Sequence, residues 1–163
     1  MLNQIYDTCE FIKEKINFIP EYGVILGSGL GDFAEDIKIE FTLPYEEIPN
    51  FPVSTVSGHK GALLFGTVGT KKVIAMQGRF HYYEGYDMKQ VTFPIRVMKH
   101  LGITKLIVSN ASGGVNSNYK VGSIVIINNH INMMPEHPLR GANDERLGPR
   151  FVNMSEPYSH HMI

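Results

Sequence analysis

Apolar residues recur at helical intervals at the start of the chain, at Leu2, Ile5, Cys9, Ile12 and Ile16, and predict an amphipathic helix ending before Pro20. The short run Tyr22-Gly23-Val24-Ile25-Leu26 reads as a buried strand that leads directly into Gly27-Ser28-Gly29-Leu30-Gly31. A short helical segment is expected over Asp32 to Glu35, and Ile37 to Leu43 alternates apolar and polar residues as a strand does. Pro44 to Pro52 is proline-rich and reads as a loop. Ala62 to Val68 and Lys72 to Met76 are two more strands, joined by a tight turn at Gly69-Thr70-Lys71. Val91, Ile95, Met98 and Leu101 place a helix over Met88 to Leu101, with Pro94 as a kink or an effective start. Lys105 to Ser109 is a strand entering Asn110-Ala111-Ser112-Gly113-Gly114, and Ser123 to Ile127 is a further β-branched strand.

This order of elements predicts an α/β fold with a central sheet flanked by helices. The sheet is mixed, because the turn at Gly69 is too tight for a parallel crossover. The 163 residues contain no repeat or linker and read as a single domain over 1–163. Residues 130 to 157, interrupted by Pro135, Pro138, Pro149 and Pro157, read as a long functional loop. Ser155 and Pro157 resemble a helix beginning that breaks off at Ile163.

Composition narrows the class of partner. A formal net charge of −1 gives no basic surface for nucleic acid, so any anion site is a local cluster. No apolar run approaches the roughly 18 residues of a membrane span, and the acidic residues Asp7, Glu10 and Glu14 near the N-terminus are unlike a signal peptide. The lone Cys9 suits a reducing compartment. A cytoplasmic, soluble protein is expected.

The densest chemistry lies in Gly78-Arg79-Phe80-His81-Tyr82-Tyr83-Glu84-Gly85. An arginine fork matches phosphate oxygens, and a histidine two residues on points the same way in extended chain. The segment reads as an anion-and-sugar site. Gly27 to Gly31 and Asn110 to Gly114 each follow a strand, where backbone amides can converge on an anion. Both loops belong at the carboxyl ends of their strands, where ligands of α/β sheets gather. Gly58-His59-Lys60-Gly61 would add a further wall. The alternating glycines at 27, 29 and 31 do not match the dinucleotide fingerprint. A metal is not expected: His130 and His137 have no carboxylate or cysteine at ligand spacing, and His160 and His161 are adjacent. His100 suits the negative end of its helix.

Read together, these segments resemble the trimeric purine nucleoside phosphorylase family. The resemblance is carried by Gly27 to Gly31, Ile48-Pro49-Asn50-Phe51-Pro52, Gly58 to Gly61, Gly78 to Tyr86, and Val91-Thr92-Phe93-Pro94-Ile95-Arg96. Asn110 to Gly114, His130-Ile131-Asn132, Pro138-Leu139-Arg140-Gly141 and Asn143-Asp144-Glu145-Arg146 continue it in order. Ser112 stands where many family members carry alanine.

The resemblance implies a nucleoside phosphorylase-like fold and reversible phosphorolysis of purine (deoxy)ribonucleosides to free purine and (deoxy)ribose 1-phosphate, a purine-salvage reaction. It implies phosphate held by Ser28, His59, Arg79, Phe80, His81 and the amide of Ala111, and nucleoside contacted by Tyr83 and by Phe151 of a neighbouring subunit. His81, Glu84 and Asn110 are its catalytic or supporting residues, with Glu84 expected to orient His59 or Arg79. A homotrimer without metal or organic cofactor is implied, with inorganic phosphate as co-substrate. Family members continue beyond the position of Ile163, where their base-reading residues and another phosphate-binding serine lie. The chain is therefore expected to be an N-terminal portion that ends before the sheet is complete. The alternatives are an inactive, shortened protein that binds phosphate or oligomerises, and a methylthioadenosine phosphorylase.

Overall fold

The computed structural model describes residues 1–27, 30–53 and 61–163. They form two compact units, Met1–Ala111 and Ser112–Ile163.

In the first unit, helix α1 (Leu2–Lys13) buries Leu2, Ile5, Cys9 and Ile12, the face its spacing predicts. Five strands follow in chain order: β1 (Tyr22–Ile25), β2 (Lys38–Pro44), β3 (Ala62–Val68), β4 (Lys71–Gln77) and β5 (Lys105–Val108). They make one sheet in the order β2-β3-β4-β1-β5. β3 and β4 pair antiparallel through a two-residue turn, with Val68 opposite Lys71. β1 pairs parallel with β4 and with β5. The sheet is mixed, as the sequence pattern predicts.

Alternation sorts the side chains. On one face Val24, Ala62, Leu64, Val73 and Ala75 pack with Ala34 and Ile37, from a tight 3₁₀ segment over Gly31–Asp36 and just after it. The other face is covered by helix: a methyl group on Gly23 would come within 2.7 Å of Ile103 Cδ1 and 3.2 Å of Met98 Sδ. Helix α2 (Met88–Leu101) begins at Asp87, whose carboxylate accepts the Gln90 N–H at 2.8 Å while the Gln90 side chain accepts the Asp87 N–H at 2.9 Å. Pro94 lies inside the helix rather than at its start. It is buried, and its missing N–H leaves the Gln90 carbonyl without the usual intrahelical donor. α1 packs on α2: the Cys9 thiol lies 3.6 Å from the Val97 carbonyl oxygen, and Tyr6 meets His100 edge to face. Burial pushes the Cys9 thiol up to about 11. The Thr8 hydroxyl is 2.7 Å from the carbonyl oxygens of both Gln4 and Pro49, so its one proton can tie the helix to the proline-rich loop.

The second unit departs from two expectations. The predicted strand over Ser123 to Ile127 does not form, and Ile124 is 97% exposed. A strand satisfies its N–H and C=O groups only against a partner, and no segment of residues 112–163 pairs with it. Instead the Ser123 hydroxyl accepts the Lys120 N–H at 3.1 Å in a local turn. The helix beginning at Ser155 is also absent; the Ser155 N–H donates to Asn153 Oδ1 at 2.9 Å. A single unpacked turn does not repay the entropy of helix nucleation. The unit is organised by local side-chain bonds. Arg146 pairs with both oxygens of Asp144, at 2.8 and 2.6 Å, Arg150 Nη1 donates to the Gly141 carbonyl at 2.6 Å, and His130 bonds the Tyr158 hydroxyl.

No helix among the described residues is long and apolar enough to cross a membrane.

Candidate active site

Because β1, β4 and β5 run parallel, their carboxyl ends finish at one edge of the sheet. That edge carries Leu26-Gly27 after β1, Gly78-Arg79 after β4 and Ser109-Asn110-Ala111 after β5. β3 starts there too, since Ala62 pairs with Gln77. The topology therefore gathers loops that are distant in sequence.

Beyond β4 the chain turns at Gly78, at φ 91°, and burial then alternates over Arg79, Phe80 and His81, where the backbone is extended at His81. Phe80 turns inward, 4% exposed, with its ring against Tyr45 and Tyr86. The sequence reading groups Phe80 with the phosphate contacts; its side chain is instead part of the aromatic core, because an apolar ring at that alternation point is buried. Arg79 and His81 take the other side. Arg79 Nη1 donates to the Ser109 carbonyl oxygen at 2.7 Å, and Nε donates to His81 Nε2 at 3.0 Å.

That second bond fixes the imidazole. Nε2 accepts, so the proton of the neutral ring belongs on Nδ1, which faces Glu84 Oε1 in a short contact. The same carboxylate oxygen accepts the His81 N–H at 3.1 Å, and the Glu84 N–H returns to the His81 carbonyl at 3.1 Å. These bonds close a single 3₁₀ turn over Tyr82–Glu84, which ends on Gly85 at φ 97°, a left-handed conformation that a side chain would strain. The Glu84 side chain is 6% exposed and that of His81 27%. Glu84 thus bonds His81, whereas the sequence reading aims it at Arg79 or His59. Three-residue spacing across a tight turn is what brings the carboxylate back to the imidazole. Tyr83, 81% exposed, stacks on His81 with ring centres 4.7 Å apart.

At the next strand end, Asn110 and Ala111 are exposed beside Ser109. The Ser109 hydroxyl accepts the Gly27 N–H at 2.9 Å and donates to the Ile25 carbonyl at 3.0 Å. A methyl group on Gly27 would stand 2.4 Å from the Ser109 carbonyl oxygen, so only glycine permits this approach. Sequence reasoning takes Ser109 merely as the last residue of a strand; its place immediately before the glycine loop is the one signal it offers. Tyr45 is the second residue missed. Its ring is buried and its hydroxyl donates to the Gly78 carbonyl at 2.6 Å, at the root of the Arg79 segment. Burial pushes its phenol well above the ordinary tyrosine range, so it remains a proton donor.

Arg79, His81, Glu84 and Tyr83 therefore lie in one connected group with Ser109, and Asn110 and Ala111 follow Ser109 at the same edge. Ser28 and His59 lie outside the described residues. Phe151 belongs to the second unit and is 88% exposed. Among the described residues no cluster of three or more histidine, cysteine or acidic side chains could hold a metal ion.

A guanidinium held from two sides, with donors to spare, is a ready anion seat. Its setting has known counterparts. A family model described as the phosphorylase superfamily matches residues 21–163. The chain belongs to the phosphorylase superfamily.

Among its relatives, purine nucleoside phosphorylase 1 of Geobacillus stearothermophilus is 54% identical over 155 residues, covering 95% of this chain and 57% of the relative. Purine nucleoside phosphorylase 1 of Bacillus subtilis is 52% identical over 158 residues, covering 97% and 58%. The solved structure of isoform 2 of the Schistosoma mansoni enzyme, in complex with cytosine and ribose-1-phosphate, superimposes with a TM-score of 0.92 at 43% identity, over 98% of this chain and 57% of that one. The chain thus spans well under two thirds of the length of these relatives.

Proposed function

We propose that this chain carries the phosphate-holding part of a purine nucleoside phosphorylase, a pentosyltransferase that converts purine (deoxy)ribonucleosides and phosphate to purine and (deoxy)ribose 1-phosphate. The observation that carries the reading is the Arg79 guanidinium. It is pinned by the Ser109 carbonyl and His81 at the edge where three parallel strands end. The names of the relatives support it over methylthioadenosine phosphorolysis and over an inactive remnant.

In the reaction the glycosidic C–N bond lengthens first and positive charge gathers on the sugar. A phosphate oxygen then bonds to the anomeric carbon, and the purine leaves with the bonding electrons and takes up a proton. Phosphate beneath the sugar is both nucleophile and counter-charge, and that geometry supplies most of the rate. Arg79 holds it without losing its own charge. His81, set by Glu84, presents its imidazole beside the guanidinium; Ser28, His59 and the amide of Ala111 complete the anion contacts. The backbone of Phe80, rather than its ring, is the part in a position to contribute. Asn110 supports the loop end. Tyr83 carries an apolar face to the ribose, and Phe151 walls the nucleoside site of a neighbouring subunit in a homotrimer. Residues 1–163 belong to a single nucleoside phosphorylase domain that works in the cytoplasm, with no metal or organic cofactor.

The test is phosphate-dependent release of hypoxanthine from inosine. Release that requires phosphate and disappears with Arg79→Ala supports the reading. Inosine left intact, with no phosphate bound in a calorimetric titration, overturns it.

A further inference from the structure

The site depends on a residue outside its expected roster. Ser109 engages both walls of the anion seat at once. Its hydroxyl accepts the N–H of Gly27 at 2.9 Å, and its carbonyl oxygen accepts Arg79 Nη1 at 2.7 Å. The regular ladder between β1 and β5 ends just before this point, with Ser109 N–H donating to the Ile25 carbonyl at 3.1 Å. The hydroxyl extends the ladder by one step, joining Gly27 N–H to Ile25 C=O through a side chain. Gly27 is buried, so without that oxygen its N–H would lose its partner away from water. The close packing of the Gly27 Cα against the Ser109 carbonyl makes the two walls mechanically dependent.

We propose that Ser109 is a positioning residue for phosphate. Its hydroxyl sets the entry of the Gly27 loop, its carbonyl sets the Arg79 guanidinium, and the two anion-holding segments keep one register through it. The inference rests on the phosphorolysis reading and deepens it. A strand-end staple with no part in binding would lower stability and leave phosphate affinity alone. A positioning role shifts phosphate selectively, because the nucleoside is contacted by other residues.

The experiment titrates inorganic phosphate by calorimetry and measures KM for phosphate and for inosine in the protein and in Ser109→Ala and Ser109→Thr. Ser109→Ala is expected to raise the phosphate dissociation constant about tenfold, the usual scale for one lost buried hydrogen bond. KM for inosine should stay within about twofold. Ser109→Thr keeps the hydroxyl and should restore phosphate binding to within about twofold. Should Ser109→Ala fail to fold, Ser109→Cys keeps the volume while weakening both bonds, and is expected to move phosphate affinity in the same direction. A lower Tm with unchanged phosphate affinity overturns the proposal, as does a folded Ser109→Thr that fails to rescue. An unsubstituted protein that neither binds phosphate nor releases hypoxanthine overturns the phosphorolysis reading itself, and this inference with it. Normal wild-type binding with an indifferent Ser109→Ala removes the inference alone.

Discussion

The Glu84 carboxylate is bonded to His81 twice: one of its oxygens receives both the imidazole Nδ1 proton and the His81 backbone N–H. The tautomer that presents Nε2 to Arg79 is therefore written into a single turn of chain. Glu84→Ala should leave the imidazole free to rotate and reduce kcat/KM by about 10- to 100-fold, the range for a lost hydrogen bond to a charged group. Glu84→Gln retains an acceptor oxygen and should lose less. Steady-state kinetics of the two variants check this; equal activity in both and in the parent would show that the carboxylate orients nothing.

Arg79 and Lys71 provide an internal contrast, since they lie at opposite ends of the same strand and its extension. Arg79→Ala should raise KM for phosphate by about 10- to 100-fold. Lys71→Ala, exposed beside the hairpin turn, should change neither KM. Arg79→Lys tests the planar fork, because an ammonium cannot reach both the Ser109 carbonyl and His81 in the same way.

Tyr45 holds the base of the Arg79 segment through the Gly78 carbonyl. Tyr45→Phe keeps the ring packed at a tilt against Phe51 and Phe80 but removes that bond. The expected loss is about 1–3 kcal/mol in stability, the cost of an unpaired buried carbonyl. A denaturant titration should show a lower midpoint with an unchanged slope.

Cys9 makes stability fall in alkali. Its thiol titrates at about 11 when folded, against 9.0 for the unperturbed group. Between these values the unfolded chain releases a proton that the folded chain keeps, so stability declines as pH rises through that window. Below pH 9 the effect vanishes. Denaturation midpoints of the parent and of Cys9→Ser, compared across pH 8 to 11, should converge or cross as the parent alone loses stability from this group. Parallel curves would show that burial does not perturb the thiol.

Much of this was legible in the order of residues. The apolar runs of β3 and β4 and the helical spacing of Val91, Ile95, Met98 and Leu101 announce their elements locally, and Arg79 and His81 are grouped by their two-residue spacing. Ser109 was not legible, because its hydroxyl finds Gly27 across 82 residues of sequence and only through parallel pairing. Glu84 reads from the sequence as a supporting group, but its bond to His81 is not legible there, since it needs the 3₁₀ turn over Tyr82–Glu84 to bring the carboxylate back. The β-branched run at 123–127 has every local property of a strand and forms none, because strand identity lies in the partner as much as in the residues.

The arrangement of the sheet also orders its assembly. β3 and β4 meet across a two-residue turn, whereas Tyr22 must find Val73 on one side and Lys105 on the other. Hairpins close quickly and distant parallel pairings slowly. Arg79 is thus attached to the early hairpin, while Gly27 and Ser109 arrive with the late strands. Pulse-labelled exchange during refolding should protect β3 and β4 before β5. An anion that recognises only the completed edge would then act as a latch on the last step of folding, slowing the reopening of the strands that closed last.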